Sequence, residues 1–368
     1  MLPFILRVST AHYWRVSWHP INIDVDSLSQ IVLGAAVGEL LLGRKIGNKA
    51  LLIGAIGGTI PDLDVLLNPL FSDEITKLQI HRGYSHSIFV HILLVLPFAW
   101  LTHRIFTKEI TFKYWYLTWY LLFFTHVMLD ACTTYGTQLF LPFTNYLVGF
   151  NNIAVIDIFW TLPFMFLLIV CMFFRRTNKW RFRWAWIAMS YALLYMAFTF
   201  VNKSIVTDKF AEELDRQGIK GVELYTSPDM FHNFLWSGIA VSQDSIYLGE
   251  YSLLQKEPEV DWIVYPRHTE LGDRHPAQRE VEVLRWFAQG KYFLVQEGEN
   301  LAFYNVKWGR MDFTKTKPEE AIVFHYNIVK DGNTWKAEVY NGDMDGEKIK
   351  EALNSLYKRI WTKNISAF

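Results

Sequence analysis

A series of long apolar stretches in residues 27–201 constrains the fold more than any other feature of the sequence. A helix that crosses a bilayer needs about 20 predominantly apolar residues. We therefore predict an all-α membrane helical bundle of about five to six spans, in which the first two form a helical hairpin. A soluble helical protein with a very apolar core is the alternative. The predicted spans cover residues 27–43, 49–67, 87–106, 114–131, 153–174 and 184–201.

The composition changes after residue 201. Residues 202–368 are mixed and charged and contain strand-like alternation, and Asp331-Gly332-Asn333 is a good hairpin turn. We predict an N-terminal arm over 1–25, a membrane-embedded bundle over 26–201 and a small α+β extramembrane domain over 202–368. Within this domain, strands are expected in 239–254, 262–265, 301–308 and 321–340, and helices near 208–217, 278–289 and 346–358.

Positive charge predicts the orientation of the bundle. Three connections, at 44–49, 103–113 and 175–183, are basic and fall on one side if the spans alternate in direction. Lys and Arg concentrate in the cytoplasmic loops of membrane proteins. The pattern therefore places the opposite loops, together with residues 202–368, on the extracytoplasmic side.

Most acidic and imidazole side chains of the membrane half lie at the ends of the spans that are opposite the basic loops. Ionisable groups at membrane depth are costly, so their convergence indicates a functional site. His126 and Asp130 are four residues apart and share one face of a helix, and Asp157 lies in an apolar run where it needs a partner. The candidate site residues are Asp62, Asp64, His81, Arg82, His86, His126, Asp130 and Asp157.

A mixture of imidazole and carboxylate ligands favours zinc, with manganese and iron(II) as alternatives, as one ion or as two ions bridged by an Asp. Such a centre lowers the pKa of bound water and polarises a phosphoryl or carbonyl oxygen. We therefore predict a metal-dependent hydrolase in which Arg82 and His86 take part in catalysis, Arg82 by binding an anionic oxygen through two hydrogen bonds. Ser85 and Ser87 are alternative nucleophiles, but the pattern favours a role in which they support a ligand or cap a helix. The predicted metal ligands are Asp62, Asp64, His81, His86, His126, Asp130 and Asp157.

A non-enzymatic protein is the alternative, either an ion-coupled transporter or a metal-binding scaffold, because polar residues within bundles also bind translocated ions. The position of the candidates at helix ends, not in the middle of spans, favours hydrolysis. A formal net charge of zero does not suggest a nucleic-acid-binding surface. Cys132 and Cys171 lack the spacing of a zinc or redox motif and are predicted to be small buried hydrophobes.

The motifs around these residues resemble the YdjM-like family of bacterial inner-membrane, metal-dependent hydrolases. The resemblance covers roughly residues 26–165. The motifs that carry it are Asp26-Ser27-Leu28-Ser29-Gln30, Gly34-Ala35-Ala36-Val37-Gly38, Gly58-Thr59-Ile60-Pro61-Asp62-Leu63-Asp64, His81-Arg82-Gly83-Tyr84-Ser85-His86-Ser87, His126-Val127-Met128-Leu129-Asp130, Thr134-Tyr135-Gly136-Thr137-Gln138 and Ile156-Asp157.

The resemblance implies a multi-pass protein of the bacterial inner membrane, with the acidic and imidazole candidates at metal-site positions. It also implies a distant link to helical zinc-dependent phospholipases C and single-strand nucleases. Membrane lipids are therefore expected partners, and a lipid or lipid-linked phosphoester is the expected substrate. The chain has Gln30 four residues after Asp26, where many relatives have His. Either this corner needs no imidazole or one metal position is altered.

Overall fold

The computed structural model describes residues 25–106, 110–255, 259–310, 315, 317–322, 324–340 and 346–361. Residues 1–24, which form nearly all of the predicted N-terminal arm, lie outside the described residues, and so does the side chain of Asp26.

The first part of the chain is helical. Apolar residues dominate most of these helices, as the sequence predicts. The α-helices are α1 (Val25–Ile46), α2 (Asn48–Gly57), α3 (Glu74–Ile80), α4 (Ile88–Leu94), α5 (Leu96–Ile105), α6 (Phe112–Cys132), α7 (Ile158–Met172) and α8 (Lys179–Arg216), and the 3-10 helices are η1 (Ile60–Leu70) and η2 (Tyr84–His86).

Within the described residues, three helical segments are long and apolar enough to cross a membrane: Asn48–Leu70, Ile88–Ile105 and Lys179–Arg216. The prediction of five to six spans is therefore wrong in number. The remaining helices fall short for physical reasons. α7 has only 15 residues, α1 carries Glu39 and two basic residues near its end, and α6 is rich in Tyr and Trp and ends with His126 and Asp130.

The first two helices form a closely packed hairpin, as predicted. A Cβ atom built on Gly34 would overlap the carbonyl oxygen of Gly54, and one on Gly38 would overlap the carbonyl oxygen of Ala50. Small residues allow helix backbones to approach this closely inside a membrane. The hairpin brings Gly58 and the start of η1 against α1, so it sets the position of the acidic motif that follows.

A buried ion pair ties the hairpin to the last helix at the opposite end of the bundle from the acidic motif. Arg181 on α8 donates two hydrogen bonds of 2.6 Å to Glu39 on α1, and a third, of 2.7 Å, to the side chain of Asn48. Both charged side chains are 3% exposed. Removing one partner would leave a buried charge uncompensated, which costs about 3–5 kcal/mol.

The second part of the chain contains two antiparallel four-stranded sheets, each in sequential strand order. The predicted hairpin at Asp331-Gly332-Asn333 is present, with Gly332 at φ 62°. The first sheet contains β1 (Glu223–Pro228), β2 (Leu235–Val241), β3 (Ser245–Ser252) and β4 (Ile263–Pro266), the second contains β5 (Tyr292–Glu297), β6 (Asn300–Asn305), β7 (His325–Asp331) and β8 (Thr334–Val339), and the helices are α9 (Thr269–Arg274), α10 (Gln278–Ala288), α11 (Pro318–Ala321) and α12 (Gly346–Trp361).

The two parts of the chain are joined by α8, which continues to Arg216 and so passes the predicted boundary at residue 201. A second connection is α3, whose Ile75 is 1% exposed and belongs to the same apolar core as α10 and the second sheet. The β-rich part of the chain therefore packs on the segment between η1 and η2. Cys132 and Cys171 are both free and buried, which confirms their predicted role.

Buried lysines mark the surface between the two parts. Lys307 donates hydrogen bonds of 2.8 Å to the carbonyl oxygens of Tyr135 and Phe287. Burial, with repulsion from Lys291 and Arg82, lowers the pKa of Lys307 well below its ordinary value. Burial likewise lowers the pKa of Lys291 to about 8. These lysines cost less free energy to bury when they are neutral.

The helix hairpin gives the first test. We expect Gly54→Val to destabilise the protein, because the added side chain meets the backbone of Gly34 and overpacking costs about 1–3 kcal/mol. Thermal unfolding in detergent measures the effect. Ile56→Val, at an exposed position of the same helix, is the control and should change the stability by less than about 0.5 kcal/mol. Equal midpoints for both variants would contradict the close approach.

Lys291 gives a test that depends on pH. Its pKa falls from 10.5 unfolded to about 8 folded, so between these values the unfolded state binds more protons and stability rises with pH. The free energy of unfolding of the wild type should therefore increase relative to Lys291→Met by about 3 kcal/mol from pH 8 to 10.5, at about 1.4 kcal/mol per pKa unit. Denaturant unfolding measures this, with Lys220→Met at an exposed lysine as control. If the difference in the free energy of unfolding between the wild type and Lys291→Met did not change with pH, this result would contradict the burial of Lys291.

Candidate metal centre

Four of the predicted residues bring one ligand atom each to a common point. These atoms lie within 4.8 Å of one another, and the residues are Asp62, His86, His126 and Asp130. Asp62 lies in the first turn of η1, His86 ends η2, and the other two lie in the last turns of α6. Residues far apart in the sequence therefore meet because the start of η1 lies beside the ends of η2 and α6.

The distances between these four ligand atoms suit a metal ion with tetrahedral coordination. His86 Nε2 lies 3.0 Å from Asp130 Oδ2 and 3.2 Å from Asp62 Oδ1. His126 Nε2 lies 3.2 Å and 3.3 Å from the same two oxygens, and the two imidazole nitrogens are 3.3 Å apart. Ligand atoms about 2.0–2.1 Å from a tetrahedral zinc are about 3.3 Å from one another. The residues present therefore fit a divalent cation.

Hydrogen bonds orient both histidines. His126 Nδ1 lies 2.6 Å from the carbonyl oxygen of Gly58, a contact that requires the proton on Nδ1. His86 Nδ1 lies 2.9 Å from Ser85 Oγ, whose own proton is donated to Asp64 at 2.7 Å, so His86 Nδ1 is the donor to Ser85. In the neutral form both Nε2 atoms then carry a lone pair, as metal-bound histidines do when the other ring nitrogen is hydrogen-bonded.

Two further side chains contact the second carboxylate oxygen of Asp130, Oδ1. Gln30 Nε2 donates a hydrogen bond of 2.7 Å to Asp130 Oδ1, and the Arg82 guanidinium lies 3.4 Å from the same oxygen. Gln30 thus orients the Asp130 carboxylate, and this corner of the site contains an amide where the family resemblance led us to consider an imidazole. The sequence raised the question of Gln30 but did not indicate that it contacts Asp130.

Asp64 and His81 form a separate pair beside the group. Asp64 accepts hydrogen bonds from the backbone of Arg82 at 3.0 Å and from Ser85, and its Oδ1 is 3.0 Å from His81 Nδ1. The predicted ligands Asp64 and His81 are therefore close to the four-residue group but outside it. Asp64 supports His86 through Ser85.

Arg82 is buried, with its side chain 4% exposed. Its guanidinium donates to Thr133 Oγ1 at 3.2 Å and lies 4.9 Å from the centre of the Tyr135 ring. Burial raises the pKa of the Tyr135 phenol, so this ring stays neutral. The structure places the Arg82 charge against Asp130. Thr133 and Tyr135 could not be predicted as its neighbours, although the Thr134–Gln138 motif includes Tyr135.

Asp157 is placed differently. Its Oδ1 caps the start of α7 by accepting from the backbone of Phe159 and Trp160 at 3.0 and 3.1 Å. The hydroxyl of Tyr195 lies 2.9 Å from both carboxylate oxygens. The sequence predicts a polar partner for Asp157, and the structure has two: the Tyr195 hydroxyl and the backbone N–H groups at the start of α7. Asp157 shares a small cavity with Asp130 but does not join the four ligand atoms.

The ligand set gives the next test. We expect purified wild-type protein to retain a divalent metal through equilibrium dialysis and His126→Ala to lose it, because one of four ligands is removed. Gln30→Leu should weaken metal affinity about 10–100-fold, the usual effect of removing a group that orients a ligand. His103→Ala, at a histidine outside the group, is the control. Elemental analysis measures the bound metal, and equal content in all four proteins would contradict the assignment.

Comparison with known proteins supports a membrane assignment for the first part of the chain. Residues 25–206 match the model of the family described as YdjM inner membrane protein. The uncharacterized protein YfhP of Bacillus subtilis (strain 168) is 26% identical over 150 residues, which cover 39% of this chain and 43% of YfhP. The chain thus matches less than half the length of this relative. No solved structure matches the chain.

Proposed function

Because the chain belongs through residues 25–206 to the YdjM inner membrane protein family, we propose that it is a membrane-bound, metal-dependent hydrolase that cleaves a phosphoester. The observation that supports this most is the convergence of Asp62, His86, His126 and Asp130 at tetrahedral spacing. These four residues would hold a divalent cation, with zinc favoured by the ligand set, which would supply Lewis acidity towards a phosphoryl oxygen and a water molecule.

The surrounding residues have distinct roles in this proposal. Arg82 offsets the charge of Asp130, while Ser85 and the carbonyl of Gly58 keep the two imidazoles in the ligating tautomer. His81 is 25% exposed, donates from Nδ1 to Asp64 and is the imidazole at the open side of the site. We assign to His81 the transfer of a proton to the leaving oxygen of the substrate, the role in which Asp64 orients it.

The location of the reaction follows from the predicted orientation. The basic connections favour a cytoplasmic position for their own end of the bundle, so the metal centre and the β-rich domain, at the opposite end, would be extracytoplasmic. The expected substrate is a lipid or lipid-linked phosphoester, because Asp62 lies within Asn48–Leu70 and His86 just before Ile88–Ile105, two segments apolar enough to cross a bilayer.

Hydrolysis by the purified protein tests this function. We expect zinc- or manganese-loaded protein in detergent to cleave bis(p-nitrophenyl) phosphate and Asp130→Asn to be inactive, because Asp130 is a ligand. His81→Gln should keep its metal and lose about 10²–10⁴-fold in kcat, the usual contribution of a positioned acid or base. His268→Gln, at an exposed histidine, is the control.

Two outcomes would contradict the proposal. Bound metal without hydrolysis of this diester or of phosphatidic acid in vesicles would favour a scaffold or transporter. Loss of metal in His81→Gln would return His81 to the ligand set.

A further inference from the structure

A histidine outside the ligand set contacts the turn that carries His86. His91 is on α4, five residues after that ligand, and is fully buried, at 0% exposure. Its Nε2 lies 2.7 Å from the backbone carbonyl oxygen of Ser85. Side chains on a helix lean towards its N-terminus, so the imidazole of His91 reaches back past the start of α4 to this carbonyl.

The residue that His91 contacts connects both halves of the site. Ser85 Oγ lies 2.9 Å from His86 Nδ1 and donates a hydrogen bond of 2.7 Å to Asp64. Asp64 in turn contacts His81 at 3.0 Å. The position of Ser85 therefore sets the orientation of an imidazole ligand and that of the Asp64–His81 pair.

A neighbouring helix fixes the plane of the His91 ring. The Phe123 ring on α6 packs against it edge to face, with 5.2 Å between the ring centres and 79° between the ring planes. Phe123 is fully buried and lies one turn before the ligand His126 on the same helix. The helix that supplies two of the four ligands thus also holds the side chain that contacts the turn of a third.

The other ring nitrogen of His91 is in an unfavourable environment. A carbonyl oxygen can only accept, so the proton is on Nε2 and Nδ1 carries a lone pair. Among the described residues, no donor reaches this buried Nδ1, and a buried polar atom without a hydrogen bond lowers stability. An apolar side chain would suit this candidate span better if packing were its only task. The hydrogen bond to Ser85 is the contribution that an apolar residue could not make.

We propose that His91 is a positioning residue of the metal centre, whose hydrogen bond to the Ser85 carbonyl holds His86 in the ligating orientation. His91 is not among the four residues whose ligand atoms converge, and it acts only through Ser85. This inference rests on the metal centre of the proposed function. It adds a residue outside the ligand set on which metal affinity depends.

Cobalt(II) binding by the detergent-purified protein tests this role, because the visible spectrum of cobalt(II) reports the geometry of its ligands. We expect His91→Leu to change the spectrum and to weaken affinity about 10-fold, the lower end of the effect of removing a group that orients a ligand. His91→Gln should retain the wild-type affinity and spectrum, because its amide nitrogen can replace Nε2 as the donor. The matched control is His103→Leu, which removes a 3.1 Å imidazole contact with the Ile110 carbonyl in the same candidate span.

Hydrogen–deuterium exchange of the metal-free proteins gives a readout that needs neither metal nor substrate. The backbone N–H groups of His86 and Ser87 donate the hydrogen bonds of the turn. They should exchange faster in His91→Leu than in the wild type, because the turn has lost its contact with α4. Exchange in His91→Gln and in His103→Leu should match the wild type.

Three results would overturn the inference. Wild-type affinity, spectrum and exchange in His91→Leu would show that the turn holds His86 without His91. Equal losses in both His91 variants and in His103→Leu would show a general effect of altering the span. A wild type that binds no cobalt would remove the centre that His91 is proposed to support.

Hydrolysis decides the proposed function separately. The expected pattern in a protein that binds cobalt and cleaves no phosphoester would support the role of His91 and count against the proposed function. Hydrolysis with wild-type metal affinity in His91→Leu would support the function and overturn the role of His91.

Discussion

Electrostatic repulsion among the four converging nitrogen and oxygen atoms determines how the residues around them are arranged. Two carboxylate oxygens and two imidazole nitrogens that present lone pairs to one point repel one another unless a positive charge lies between them. The surrounding hydrogen bonds prevent the imidazoles from turning away, because each Nδ1 is already committed to an acceptor. The protein thus fixes these four side chains in advance, which would reduce the reorganisation that binding of a cation requires.

The scaffold holds this arrangement from three directions. The glycine-packed hairpin of α1 and α2 positions η1 and supplies the Gly58 carbonyl, α6 presents His126 and Asp130 one turn apart, and the loop from Thr133 to Gly136 holds the Arg82 charge. The β-rich domain enters the same network through Lys307. Its contribution is to fix the loop beside the site, since the described contacts bring none of its side chains to the four ligand atoms.

Much of the site could be predicted from the sequence because its spacing follows helical geometry. His126 and Asp130 share a face whatever surrounds them, and the motif from His81 to Ser87 needed only a short turn to bring His86 to the same end of the bundle. The partner that each side chain contacts could not be predicted. Asp64, His81 and Asp157 are residue types that bind metals, and only the direction of each side chain in the structure shows that Asp64 contacts His81 and that Asp157 contacts Tyr195.

The fold was predicted less completely. Hydrophobicity identified the helical half, and alternation with turn residues identified the β-rich half, but the number of spans was too high because short or partly polar helices such as α1, α6 and α7 were counted with the long ones. An apolar composition predicts that a helix is shielded from water, but it does not tell whether neighbouring helices or lipid surround that helix. The contacts of α1 and α6 with the rest of the bundle explain this difference.

The length of α8 has a mechanical consequence. Its 38 residues form a rod of about 57 Å at 1.5 Å per residue, almost twice the depth of the bilayer's hydrocarbon layer. One end is anchored by Arg181 to Glu39, and the other carries Phe210 into the first sheet. A tilt of α8 at one face of the membrane would therefore move the first sheet at the other face. Crowding or thinning of the bilayer would in this way alter how the β-rich domain packs over the metal centre.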